Sequence, residues 1–354
     1  MSRPPRPFTA ARTPRTPRVP GTLGTLLATA ALLATGLLAA PAQAVPAPTP
    51  DSVRFAARGT TYYVDPAGSD AASGTSTRTA WASLARVSAA RLRPGDRVLL
   101  RRGAAWTGAL RIAVSGTALT PIRIGAYGVG AAPRLSGACV EIAGDQVVVE
   151  DLAVISCDWW GVHVLGDHVT VRGVLASGNV AGISVDRGAD DARVLSNRLI
   201  DNNRLAPGTD GPDDDYGANG IEVLGSRAEI AGNTISGSWA PSPDYGRDGS
   251  AVEIYEAVGT RVHDNVATDN LTFTELGSAL TAGTRYERNV VRSSIPGSSF
   301  LITRGPGDAW GPVFGTVAVG NDVLLTGAGS FLTWCGGECG ADVLSMADNR
   351  LSLG

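Results

Sequence analysis

The 354 residues contain no lysine at all. All cationic side chains other than three histidines are therefore arginine, which excludes any mechanism built on a lysine base. Cysteine is scarce too, at four residues, and no histidine lies near them in sequence, which argues against a zinc site. Helix-forming periodicity is sparse after about residue 98, and no apolar run after residue 44 is long enough to span a bilayer. Positive charge is also in deficit. With the five arginines before residue 44 set aside, 25 basic residues face 33 acidic ones, a net charge of −8. Such a chain has little with which to neutralise phosphates, so nucleic acid is a poor partner, whereas calcium suits it.

The start of the chain has the layout of an export signal. Arg3, Arg6, Arg12, Arg15 and Arg18 precede an apolar run from Leu23 to Leu38, and Ala42-Gln43-Ala44 is a small-x-small cleavage site. No twin arginine precedes the run, which favours the general export route. An uncleaved anchor is the alternative, but the run is short and ends in Pro41. The reading is a signal peptide over 1–44, a flexible Pro-rich leader over 45–59, and a secreted monomer with no membrane attachment after cleavage. Export permits disulfides. Cys335 and Cys339 are spaced to close a tight loop. Cys139 and Cys157 either bridge neighbouring coils or remain two buried thiols.

From residue 98 to 354 the chain is rich in Gly, Val, Ile, Asn and Asp, in short alternating runs separated by turns. Segments such as "HVTVRGVLASGNVAGISVDRG" and "ARVLSNRLIDN…NGIEVLG" can be superimposed with a spacing of about 20–25 residues once loops are left out. One such unit cannot bury its own apolar face, whereas a stack of them can. This predicts a right-handed parallel β-helix, an all-β solenoid; a β-sandwich, the competing arrangement, does not need in-register repeats. Asn179, Asn197, Asn233, Asn265 and Asn289 fall at the turns, where asparagine tolerates left-handed backbone and its side chain satisfies turn amides. Residues 60–97 read as an N-terminal strand and helix capping the first coil, with Trp81, Leu84 and Val87 at helical spacing.

The opening of the repeat region carries a resemblance. "YYVDPAGSDAASGTS", "AWASLARV", "LRPGDRVLLRRGAAWTGAL" and "SGTALTPIRIGAYGVGAAPRLSG" resemble the start of secreted bacterial β-helix proteins of the pectate-lyase-like superfamily, closely over residues 61–137 and loosely beyond. The resemblance implies the fold and secretion. It leaves the reaction open, since the superfamily includes polysaccharide lyases, glycoside hydrolases, epimerases and non-catalytic adhesins.

Aligning the second strand of successive coils sets His163, Ser184, Glu222 and Glu253 in one outward column, with adjacent rungs about 4.8 Å apart. Two carboxylates that close either share a proton or bind a cation. The first outcome provides the acid and base of a glycoside hydrolase. The second provides a calcium site for a lyase acting on a uronate polymer. Outward glutamates that are merely solvated are the bland alternative, and a non-catalytic glycan-binding protein the third reading. Long insertions precede both glutamate strands, and each contains Asp-Tyr-Gly. They offer Asp213, Asp214, Asp215, Asp244 and Asp248, with Glu222 and Glu253, as calcium ligands, although the aspartate run equally reads as a solvated turn. Trp159, Trp160, Tyr216, Trp239, Tyr245 and Tyr255 are candidate sugar-stacking residues, or loop-packing ones. His163, Arg187 and Arg304 are candidate bases for the lyase, with Arg304 placed opposite Glu256, while Asp186-Arg187 also reads as a plain ion pair. A Ser-His-Asp hydrolase fits poorly, because His168 and His263 fall on first strands of coils. The expected partner is a polysaccharide. The signal reading predicts that the exported chain begins at Val45; N-terminal sequencing of secreted material that finds residues before it would overturn the assignment.

Overall fold

The computed structural model describes residues 59–207 and 215–354. The signal and leader segments, with Asp213 and Asp214, lie outside the described residues. Alternation of apolar and polar residues dictates the architecture. Each coil is too short to bury its inward Val, Ile and Leu alone, so coils stack in parallel. One coil comprises Arg193–Leu195, Arg198–Ile200 and Asn219–Val223, and the next Glu229–Ala231, Thr234–Ser236 and Ser250–Tyr255. First strands form an eleven-stranded sheet that begins with Thr61–Val64 and ends with Leu344–Ala347. Second and third strands count as one seventeen-stranded sheet, because Ala105–Ile112 and Arg134–Ile142 run across both faces. Every pairing among these strands is parallel. Antiparallel pairing occurs in a small hairpin of Ala240–Ser242 with Gly246–Asp248 and in an isolated Leu205–Gly217 bridge. This is a right-handed parallel β-helix.

The interior is made of side-chain stacks. On the third-strand face, Val164, Val185, Val223, Ile254 and Leu276 are all fully buried. So are Val162, Ile183, Ile221, Val252, Thr274 and Leu301, one rung above another. Thr274 is the polar member, and its hydroxyl is satisfied by the buried Tyr286 hydroxyl at 2.6 Å.

Asparagines close one corner. Asn197, Asn233, Asn265, Asn289, Asn321 and Asn349 form a continuous ladder. Each side-chain amide donates to the next Oδ1 (2.8–3.0 Å), and each main-chain amide donates to the same oxygen. Asn179 stands at the other corner and pairs with Asn202. The structure corrects the backbone expectation. The left-handed residue is the one before the asparagine (Ser196, Gly232, Asp264, Arg288), while the asparagines themselves are not left-handed. Their role is hydrogen bonding to otherwise unpaired turn amides.

The N-terminal segment also differs from expectation. The helix is only Leu84–Ser88, capped by Ser83, whose side chain accepts from the Arg86 amide. Trp81 precedes it, bridges to Val64 and stacks on Tyr62 at 4.5 Å. Both cysteine pairs are disulfides, with Cys139 and Cys157 fully buried between neighbouring strands. Strand register continues past residue 268, where the repeat is hard to read. Thr272–Gly277 pairs in register with Ser250–Tyr255.

Asn265→Ala removes an acceptor shared by two Asn233 donors, and two donors of its own. It is expected to destabilise the fold by about 2–4 kcal/mol. Exposed Asn203→Ala should change stability by less than about 0.5 kcal/mol. Equal shifts of the two variants in urea denaturation would refute a structural role for the ladder.

Candidate active site

Stacking in register turns a repeat position into a column. On the outward side of the third strands the partners run Glu141, His163, Ser184, Glu222, Glu253, Glu275, Ile302 and Trp334. The four residues expected from sequence are therefore brought together. Sequence reasoning stopped one glutamate short. Glu275 lies in Phe273-Thr274-Glu275-Leu276-Gly277, which repeats Val252-Glu253-Ile254 with a polar Thr274 in the inward place. That threonine hides the pattern. Glu141 was also missed, although Val140-Glu141-Ile142 shows the pattern openly, and it pairs with Arg111 at 2.8 Å.

Three glutamates on consecutive rungs repel one another, and their surroundings resolve the conflict differently. Glu222 accepts from Ser184 Oγ at 2.6 Å and is hydrogen-bonded to Tyr216. Desolvation raises its pKa, against the lowering effect of those two hydroxyls. Glu253 accepts from the side-chain amide of Asn219. Burial, then the charges of Glu275, Glu222 and Asp248, push its pKa well above the ordinary carboxylate range. Glu275 instead has a cation. Its Oε1 accepts from Arg304 Nη2 at 2.6 Å and from the Tyr255 hydroxyl at 3.3 Å. Tyr255 reaches it because Gly277 faces the ring, and any Cβ there would collide with the phenol.

Arg304 aligns with Gly277 and, one rung further, with Tyr255. The expected alignment with Glu256 is thus off by one residue. Its guanidinium also donates to the Leu276 carbonyl at 2.8 Å, and its side chain is 11% exposed. Burial alone would lower its pKa, but the Glu275 charge holds it above the usual value. Arg187 is bound to Glu256, and that hydrogen bond raises its pKa as well. Neither arginine is suited to accept a proton. Asp186 also departs from the expected pairing with Arg187. It engages His163 Nε2 at 2.9 Å, and this hydrogen bond lowers the Asp186 pKa. The His163 ring is stacked under Trp160 at 3.9 Å.

The aromatics fall into separate groups. Trp159, Trp160 and Tyr216 cluster at the His163 end, with Trp160 Nε1 donating to the Tyr216 hydroxyl at 3.1 Å. Tyr255 meets Trp310 edge-on at 6.4 Å beside Glu275. Trp239 faces Arg247, and Tyr245 is exposed at the turn of the 240–248 hairpin. Trp310 and Trp334, 43% and 46% exposed, were not expected from sequence, because nothing local marks their rung.

The two Asp-Tyr-Gly loops hold each other. The Asp215 carboxylate accepts from the Ser242 hydroxyl and the Asp244 amide, and Asp244 Oδ2 accepts from the Asp215 amide at 3.2 Å. These oxygens are thus committed to loop packing, apart from Asp215 Oδ1, which is buried without a hydrogen-bond partner. Among the described residues, no three carboxylate, histidine or cysteine side chains are grouped to hold a metal ion. Asp213 and Asp214, two of the expected calcium ligands, lie outside those residues.

No family model matches the chain, and no curated protein resembles it in sequence. Solved structures do resemble it in fold. An alginate lyase from Paenibacillus sp. str. FPU-7 is 19% identical with a TM-score of 0.59, over 76% of this chain and 93% of that one. Pectate lyase Pel9A is 16% identical with a TM-score of 0.55, over 83% and 77%. The fold is thus the parallel β-helix that these two structures also have. No helix among the described residues is long and apolar enough to cross a membrane.

Asp248 supplies a test of the acidic cluster. Burial and the Glu275 charge push its carboxyl up to about 7. The folded chain then holds this proton more tightly than the unfolded chain, so stability falls as pH rises from about 4 through about 7. Asp248→Asn is expected to raise the Tm at pH 8 by about 3 °C or more and to leave it nearly unchanged at pH 4. A uniform shift at both pH values would contradict this.

Proposed function

We propose that the chain is a secreted, carbohydrate-active enzyme that cleaves a polysaccharide by acid–base glycoside hydrolysis. One observation carries this reading: Glu253 and Glu275 occupy adjacent rungs in unlike surroundings. Glu253 is desolvated and pushed towards its protonated form, while Glu275 is ion-paired with Arg304. Two carboxyl groups with such different partners can divide the roles of acid and nucleophile. Glu253 would protonate the leaving glycosidic oxygen. Glu275 would attack the anomeric carbon, and Glu253 would then take the proton from the incoming water. The rung spacing of about 4.8 Å matches the separation of about 5 Å used by retaining enzymes. Tyr255 and Arg304 would hold Glu275 in place, and Asn219 would orient Glu253. Secretion rests on the arginine-led apolar segment ahead of residue 44.

The calcium-dependent uronate lyase expected from the acidic loops draws support from the fold of the two lyases above. At 16–19% identity that support concerns the scaffold alone.

Glu253→Gln and Glu275→Gln should each lower kcat by about 100-fold or more on a cleaved glycan, with folding intact. Products should keep the anomeric configuration of the substrate, and chelation should have no effect. Ultraviolet absorbance of an unsaturated uronate product, or full activity in either variant, would exclude the hydrolase.

A further inference from the structure

We propose that the cleft takes a neutral glycan and that one of its sugar rings stacks on Trp334. This rests on the reading of the glutamate column as the catalytic site. The same column continues through Ile302 to Trp334, two rungs or about 10 Å beyond Glu275. The column therefore changes from acids to an apolar floor and then to an indole that is 46% exposed. Indole faces bind the C–H face of a sugar ring.

Several features hold Trp334 there. Its strand, Phe331–Gly336, pairs in register with Ser299–Arg304, and the next residue forms the Cys335–Cys339 disulfide. Arg304 covers one side of the ring, with its guanidinium carbon 5.7 Å from the ring centroid. Gly336 leaves room on the same outward side, since a Cβ there would lie 2.8 Å from Trp334 Cη2 and would collide with the Asp308 carboxylate. The indole is thus fixed by the scaffold, in line with the acids.

Charge decides the ligand class. A uronate polymer laid along this column sets its carboxylates beside Glu222, Glu253 and Glu275, which follow one another rung by rung. The arginines flanking the column are committed, Arg304 to Glu275 and the Leu276 carbonyl, Arg187 to Glu256. A neutral ring meets neither repulsion nor the need for a cation.

The test uses the full chain carrying Glu253→Gln, so that bound polymer is not consumed. Affinity electrophoresis is run against arabinoxylan, mixed-linkage glucan, galactan and mannan, and against alginate and polygalacturonate, each in chelator and in calcium. The expected result is retention by at least one neutral polymer. Adding Trp334→Ala should weaken it about tenfold or more at unchanged thermal stability, and Trp334→Phe should restore most of it. Retention by the uronate polymers alone, or by none of the panel, overturns the proposal. So does neutral-polymer binding that Trp334→Ala leaves unchanged. If the unmutated chain binds a neutral polymer through Trp334 and never cleaves it, the hydrolase reading fails while this inference stands.

Discussion

In-register parallel stacking is the constraint on which everything else in this molecule depends. Main-chain hydrogen bonds between rungs set a repeat of about 4.8 Å, and any shift of one residue would turn the inward column outward. The asparagine ladder locks that register at a corner by giving each turn amide a fixed acceptor on the next coil. Side chains at equivalent positions have no choice of neighbour. A valine column becomes core, and a glutamate column becomes a row of like charges.

That enforced proximity accounts for the chemistry of the cleft. Free in solution, Glu222, Glu253 and Glu275 would separate. Here the scaffold holds them, and the strain is relieved by different partners on each rung: hydroxyls for Glu222, an amide for Glu253, and a guanidinium for Glu275. Of these three glutamates, Glu275 is the one ion-paired with an arginine, Arg304. The pKa of Glu253 is raised by burial and by its neighbours together, with no change to its own side chain.

The loops do different work. The Asp-Tyr-Gly pair reads as a cation trap in sequence, and in the structure Asp215 and Asp244 each accept from the other's main-chain amide, which ties the two loops together. Arginine shows the same economy. Arg187, Arg304 and Arg111 each meet a carboxylate on or beside the column, which leaves the cleft acidic despite the arginines around it.

Much of the fold was legible in the sequence, because the repeat is a local pattern copied many times. Alternating Val and Ile, turn asparagines and a tight Cys335–Cys339 spacing each declare their role within a few residues. The column from His163 to Glu253 could be aligned for the same reason. What lay beyond reach depended on contacts between coils. Thr274 masks the rung of Glu275, because its hydroxyl is tolerated inside only through Tyr286, a residue on the next coil. Asp186 reaches back to the His163 ring as well as accepting from the Arg187 main-chain amide, and Arg304 closes on Glu275. By itself the sequence determined the solenoid, its polarity of core and surface, and the placement of acids on one face. Which acid holds a proton, which has a cation and which aromatics line the cleft were decided by tertiary structure, because burial and charge at each rung are set by residues 20 or more positions away in the chain, a separation that local patterning does not encode.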